Sequence, residues 1–353
     1  MNKTVIITGG AGFIGCALSE GVSQRYSQAV AIDCLHPQFH PEPVRPAALD
    51  SRVELFVADI CDESAWNKLL ENITLPFDVI HLAAETGTSQ SLSDASRHAL
   101  VNVVGTTRML DAFILNRKFP DQILLTSSRA VYGEGAWQKK DESVFYPGQR
   151  SDEMLRSGQW DFSNARPLPF CAQKTTPHPT NIYGATKLAQ ENILSAWTSA
   201  YGTKCKILRL QNVYGPGQSL VNPYTGVVSL FVQKAKSGES IPLYEDGEIT
   251  RDFVYISDVI SAVLLAIESK SADKEIYDIG TGLKTTIRDI AHLIAAHYNT
   301  PAPHVCGKYR NGDVRHASCD ISTVQQVLQF KPDYSLTQGI EQLCKWIDAQ
   351  NNN

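Results

Sequence analysis

Tyr183 and Lys187 stand four residues apart, so a helix would set them side by side on one face. A phenol beside an ammonium can take and return a proton. Its ordinary pKa is about 10, and a nearby cation favours the phenolate. A downward shift of about 3 units, roughly 4 kcal/mol, would bring it into working range. Upstream, Ser128 follows the apolar run from Gln122 and can hydrogen-bond a reacting oxygen. A third set, Gly9, Gly12 and Gly15, lies in Gly9-Gly10-Ala11-Gly12-Phe13-Ile14-Gly15. Glycines there let the backbone turn sharply and approach a pyrophosphate closely, while the N–H groups at the helix amino end, around Phe13 and Ile14, face the anion. The combination points to hydride transfer at a carbon bearing a hydroxyl. Ser128, Tyr183 and Lys187 form the catalytic trio, and Lys187 also reaches a nicotinamide ribose.

These groups need a scaffold that brings strand ends together. Short apolar runs recur at Thr4 to Ile7, Ala29 to Asp33, Val53 to Val57, Phe77 to Leu82, Gln122 to Thr126 and Cys205 to Leu210, separated by helix-length amphipathic stretches. That pattern predicts an α/β fold: a Rossmann-type, doubly wound parallel sheet with helices on both faces. Helices are expected over Arg97 to Asn116 and Tyr183 to Ala200, both apolar enough to pack on a second subunit as well as on the sheet. After Gly215 the pattern is broken by glycine and proline, which predicts a smaller carboxy-terminal substrate lobe. The expected division is a dinucleotide-binding domain over 1–214, rejoined by residues near 252–281, and a lobe from 215–251 and 282–345. A helix after Phe253 to Ile256 is expected to be capped by Ser257 or Asp258.

Asp33 ends the second run about twenty residues after the glycines, where a carboxylate accepts from the adenosine ribose and repels a 2′-phosphate. NAD is therefore expected over NADP. Asp59, followed by Ile60, either accepts from the adenine amino group or caps a helix. Leu82, Ala83 and Ala84 are small enough for a dinucleotide to lie close, or serve tight packing. Asn102 falls mid-helix, where its propensity is poor, and either braces the active-site backbone or faces solvent.

The 353 residues carry a net charge of −5 and are 43% hydrophobic. This argues against a nucleic-acid footprint and fits a globular chain with a sizeable core. No apolar stretch is long enough to span a bilayer, and no signal peptide is evident. Eight scattered cysteines without a Cys-x-x-Cys pair suit a cytoplasmic location and argue for no disulfide framework. Cys34, His36 and His40 lie in a proline-broken loop without a fourth ligand nearby, so no metal is expected.

Thr8 to Gly15, His81 to Ala84, Ser127 to Gly133, Tyr183-x-x-x-Lys187, Arg209 to Gly217, Arg251-Asp252-Phe253 and Arg310 to Arg315 together resemble an extended short-chain dehydrogenase/reductase of the nucleotide-sugar epimerase/dehydratase family. The resemblance covers nearly the whole chain. It implies that Asn212 contacts the sugar diphosphate and that Arg251 and Arg315 hold it, as guanidinium forks suit phosphate oxygens. In isolation each arginine would read as a surface ion pair.

The family's 4,6-dehydratases carry an acidic pair where this chain has Arg129 and Ala130, so dehydration is disfavoured and C4 epimerisation is expected. NAD would then stay bound between turnovers. Glu85 to Ser91, with Thr86, Ser128 to Gly135, with Arg129, and Asn222 to Gly226 further resemble the epimerases that act on dTDP-L-rhamnose. This implies a dTDP-linked 6-deoxyhexose as substrate and Thr86 and Arg129 among its contacts. The same resemblance covers the stretch of about fifty residues from Glu134 to Ile182, long for a connection. It is expected to be either a lid over the sugar or a peripheral insertion with its own aromatic cluster. A UDP-hexose 4-epimerase, a 4-keto-sugar reductase and a catalytically idle NAD-binding scaffold remain alternatives. A homodimer is expected.

Overall fold

A computed structural model of the chain describes residues 3–219, 226–270 and 274–350. Residues 222–225 of the motif beginning at Asn222 lie outside the described residues. Seven parallel strands form the central sheet: β1 (Thr4–Thr8), β2 (Gln28–Asp33), β3 (Val53–Val57), β4 (Phe77–His81), β5 (Gln122–Ser128), β6 (Lys204–Leu210) and β7 (Lys274–Ile279). Their spatial order is β7-β6-β5-β4-β1-β2-β3. Chain order reverses beside β1, which pairs with β2 on one side and β4 on the other. In such sheets ligands bind outside the carboxyl ends of the strands at this reversal. β1 and β4 are buried along their whole length, which explains their nearly continuous apolar runs.

Four helices matter for the site. α1 (Phe13–Ser23) follows the glycine loop directly. α2 runs from Ala95 to Leu115 and contains a π-helical stretch at Leu100–Gly105. α3 (Ile182–Tyr201) starts where the Asn181 side chain accepts from Gly184 N at 2.8 Å, and stops at left-handed Gly202. α4 (Ile256–Glu268) has Tyr255 at its N-cap and no side-chain cap, contrary to the expected Ser257 or Asp258. Asp258 lies in its first turn instead and accepts from the N–H groups of Asp333 and Tyr334.

A second apolar core gathers the helices Val227–Lys236, Ile287–Tyr298 and Leu336–Gln350 around Val232, Ile290, Ile294 and Leu343. A short parallel pair, Asn212–Tyr214 with Phe253–Tyr255, joins this lobe to the end of β6. The stretch after Glu134 forms a three-stranded antiparallel sheet from Trp137–Lys139, Val144–Phe145 and Ala165–Pro167. It has an aromatic contact of its own, Trp137 against Phe162 at 5.0 Å. It is also tied to the lobe, because Phe170 N donates to Ser318 O and Asp320 N donates to Phe170 O, both at 2.8 Å.

Candidate active site

At Gly9, Gly10 and Gly15 the loop leaves no room for a Cβ. Gly9 has φ +67°, and a Cβ there would stand 2.8 Å from the backbone of Ala83. A Cβ on Gly15 would meet the Gly10 carbonyl at 2.5 Å. Gly12 begins α1 with extended backbone and no side-chain cap, so the amino end of the helix keeps its N–H groups for a ligand. Asp33 closes β2, and its two oxygens accept from Ala11 N at 3.0 Å and Leu35 N at 2.9 Å. The carboxylate thus ties the glycine loop to the end of β2 and retains lone pairs for ribose hydroxyls. A close-packed turn, an uncapped helix end and an aspartate at the next strand end fit a dinucleotide. Asp59 is exposed and accepts from Cys61 N, while Asp62 caps the following helix, so the cap expected as the alternative for Asp59 belongs to its neighbour. Ile60 is buried, and Leu82, Ala83 and Ala84 are half-buried beside the glycine loop.

Ser128 ends β5. Its hydroxyl accepts from Ala130 N at 3.1 Å, turning the chain into the short 3₁₀ helix Arg129–Tyr132, and it is close enough to the Tyr183 phenol to oppose the effect of burial there. Gly184 allows this meeting, because a Cβ there would collide with the carbonyl of Ala130. Ser128 and Tyr183 thus approach from β5 and α3, and Lys187 lies one turn further along α3, with Glu191 and His81 as its electrostatic neighbours. The expected shift of Tyr183 does not appear. Burial raises its pKa, opposed by the Ser128 hydroxyl and the charge of Arg129. Lys187, also buried, is pushed down to about 7 by loss of solvation, with Glu191 working against that. The protein alone therefore keeps the phenol protonated, and the cation favouring the phenolate is Arg129.

Arg129 Nε donates to Asn212 Oδ1 at 2.7 Å. Burial, then the charge of Arg251, pushes the Arg129 pKa below its ordinary value, with Asp313, Tyr183 and Glu134 working against that. Arg251 donates to the carbonyls of Thr250 and Arg315 and to Asp313 Oδ1, and an arginine has N–H donors beyond these. Arg315 departs from expectation. Its guanidinium is taken up by Glu245, Asp246 and Asp161, so it serves a buried ion network and does not join Arg251 as an anion grip. Thr86 is exposed in the loop after β4.

Asn102 is fully buried, its Oδ1 accepts from Glu85 N at 2.7 Å, and its Nδ2 donates to Glu85 O and to Thr186 Oγ1. Thr186 in turn donates to the Tyr183 carbonyl. The amide braces the loop after β4 against the helix that carries the tyrosine, one of the alternatives left open by the sequence.

Two buried groups escaped the sequence reading. His81 lies between Thr8 Oγ1 at 2.6 Å and Thr106 Oγ1 at 2.9 Å, linking β1, β4 and α2. Burial pushes its pKa down to about 3, helped by Lys187, so it is a neutral imidazole. Glu191 accepts from Ser127 Oγ at 2.5 Å and from Arg209 at 3.0 and 2.6 Å, fixing α3 to β5 and β6. Arg209 reaches on to Tyr132, whose hydroxyl donates to Asp278 on β7. The available signal was a histidine or an arginine inside an otherwise apolar strand.

Comparison with known proteins places the chain in a family. The description "NAD dependent epimerase/dehydratase family" matches residues 164–280, and "GDP-mannose 4,6 dehydratase" matches residues 6–150. A dTDP-L-rhamnose 4-epimerase from Burkholderia thailandensis is 55% identical over 345 residues, covering 98% of this chain and 95% of its own. A UDP-glucose 4-epimerase from Thermotoga maritima, solved with UDP-glucose, superposes with a TM-score of 0.80 at 26% identity, covering 99% of both chains. A UDP-glucuronic acid 4-epimerase from Bacillus cereus, solved with UDP-glucuronic acid and NAD, gives 0.79 at 25% identity, covering 98% of this chain and 99% of that one. With more than half of its residues shared with a relative of matching length, the chain belongs to the NAD-dependent epimerase/dehydratase family.

Proposed function

We propose that this enzyme inverts C4 of a nucleotide-diphosphate sugar, interconverting dTDP-L-rhamnose and dTDP-6-deoxy-L-talose. The observation that carries the C4 reading is Arg129, whose charge acts on the buried Tyr183, standing directly after Ser128. A dehydratase needs an acid at that position to protonate a leaving hydroxyl, and a guanidinium cannot do so. Likeness to the Burkholderia relative supports the dTDP-rhamnose assignment.

NAD+, when bound, supplies the acceptor and then the donor of the C4 hydride. Gly9, Gly12, Phe13, Ile14 and Gly15 would hold its pyrophosphate, Asp33 its adenosine ribose and Lys187 its nicotinamide ribose. The Tyr183 phenolate, favoured by the charge of Arg129 and the added positive charge of bound NAD+, would take the proton of the sugar 4-hydroxyl and give it back after the 4-keto sugar has turned, while Ser128 would fix the same oxygen. Arg129, Asn212 and Arg251 supply the positive, donor-rich wall for the diphosphate. We also infer a homodimer formed through α2 and α3. Leu100, Val104 and Leu115 of α2 are exposed apolar side chains, as is Ala196 of α3, and a second copy would cover them.

The test offers a panel of dTDP- and UDP-sugars to the purified protein without added cofactor, with products resolved by NMR. Conversion of dTDP-L-rhamnose to its talose epimer is the expected result. Turnover confined to UDP-glucose and UDP-galactose would overturn the substrate assignment. Stoichiometric consumption of added NADH or NADPH would replace epimerisation with reduction.

A further inference from the structure

We propose that Arg150 and Glu134 are positioning residues that set Arg251 for its anion, making the stretch after Ser128 a strut for the diphosphate site. This rests on Arg251 being the diphosphate ligand. Both side chains are buried. Arg150 lies in the insertion and grips both oxygens of Glu245, at 2.9 and 2.8 Å. It also donates to the Asp313 carbonyl at 2.8 Å and the Trp160 carbonyl at 3.3 Å. Glu134 follows the turn that begins at Ser128, and both its oxygens face the Arg315 backbone N–H, at 3.2 and 3.1 Å. Arg150 Nε comes within 3.4 Å of the same carboxylate.

Residues 313–315 are therefore held at both ends from the insertion side. Arg251 is fastened to that same stretch, through Asp313 Oδ1 at 2.8 Å and the Arg315 carbonyl at 3.3 Å. Arg315 continues the lattice to Glu245, Asp246 and Asp161, the last also in the insertion. A buried charge keeps one position because every displacement strips it of partners. The ion lattice thus passes the placement of the serine turn and the insertion to Arg251. A lid would need few buried contacts and easy opening. This segment is bolted by buried charges and by the backbone bonds of Phe170.

The experiment is a double-variant cycle on the full-length, NAD-loaded protein, with dTDP affinity read by calorimetry and turnover by NMR. Arg251→Met is expected to weaken dTDP binding about tenfold, or about 1.4 kcal/mol. Arg150→Met is expected to weaken it by a similar factor, raising KM while kcat stays within about threefold. The two together should be no weaker than Arg251→Met alone. Additive losses, or unchanged dTDP affinity in Arg150→Met, would overturn the strut. Unchanged affinity in Arg251→Met would overturn the diphosphate reading beneath it. Should Arg150→Met fail to fold, Glu134→Gln, nearly the same shape, must show the same non-additivity with Arg251→Met, or the proposal falls.

Discussion

Replacing Lys187 by methionine should abolish turnover and stabilise the protein at the same time. Burial holds the folded-state pKa of Lys187 near 7, against 10.5 for the free side chain. Between those values the unfolded chain binds more protons than the folded one, so stability rises with pH. The penalty for burying the charge is complete below pH 7 and gone above about pH 10.5. It comes to about 5 kcal/mol at pH 6 and about 2 kcal/mol at pH 9. Methionine fills nearly the same volume and carries no charge, so the variant escapes this cost. The assay is urea unfolding of dinucleotide-free wild type and Lys187→Met from pH 6 to pH 9. The variant should be the more stable throughout, by a margin that narrows by about 2–3 kcal/mol across the range. A variant less stable at pH 6, or a margin independent of pH, would refute the reasoning. The inverse relation expected between activity and stability is the usual cost of a charged group kept dry for function.

Four further perturbations follow. Tyr183→Phe should leave the fold intact and lower kcat by a factor of about 10² to 10⁴, measured by NMR turnover; the difference in 295 nm absorbance between dinucleotide-free wild type and this variant should show Tyr183 titrating above a free tyrosine, since burial raises its pKa. Gly9→Ala, at φ +67° and against the backbone of Ala83, should cost about 1–3 kcal/mol and purify without NAD, checked by denaturant titration and nucleotide analysis. Asp33→Ser should raise the relative affinity for NADP over NAD by removing a carboxylate from the ribose site, read by calorimetry. Leu100→Glu should convert a dimer to monomer in sedimentation velocity without loss of helix content.

The central strands were readable because they are buried on both faces and carry short apolar runs, as in Val79-Ile80 and Ile207-Leu208, whereas β3 at the sheet edge is only partly buried. The glycine turn was readable because its constraint is local: a positive φ and a missing Cβ leave a mark at the residue itself. Arg315 was not, because its fate is set by Glu245 and Asp161, which are 70 and 154 residues away in sequence. Its side chain looks the same whether it grips phosphate or carboxylates. Asn102 has the same ambiguity, resolved by the loop it faces. The direction of the Tyr183 shift turned on how deeply the phenol is buried, a tertiary property that helical spacing with Lys187 cannot report. Asp258 shows that a good capping residue yields when distant N–H groups, here Asp333 and Tyr334, claim its carboxylate.

The π-helical stretch in α2 has an evolutionary corollary. A π turn, with its i→i+5 hydrogen bonds, holds one residue more than an α turn of equal reach. Losing one codon between Leu100 and Gly105 would let the helix relax to regular pitch with its ends unmoved, while rotating the Asn102 amide away from Glu85 and Thr186. Homologues that differ in length at this point should therefore diverge in catalytic competence before they diverge in architecture.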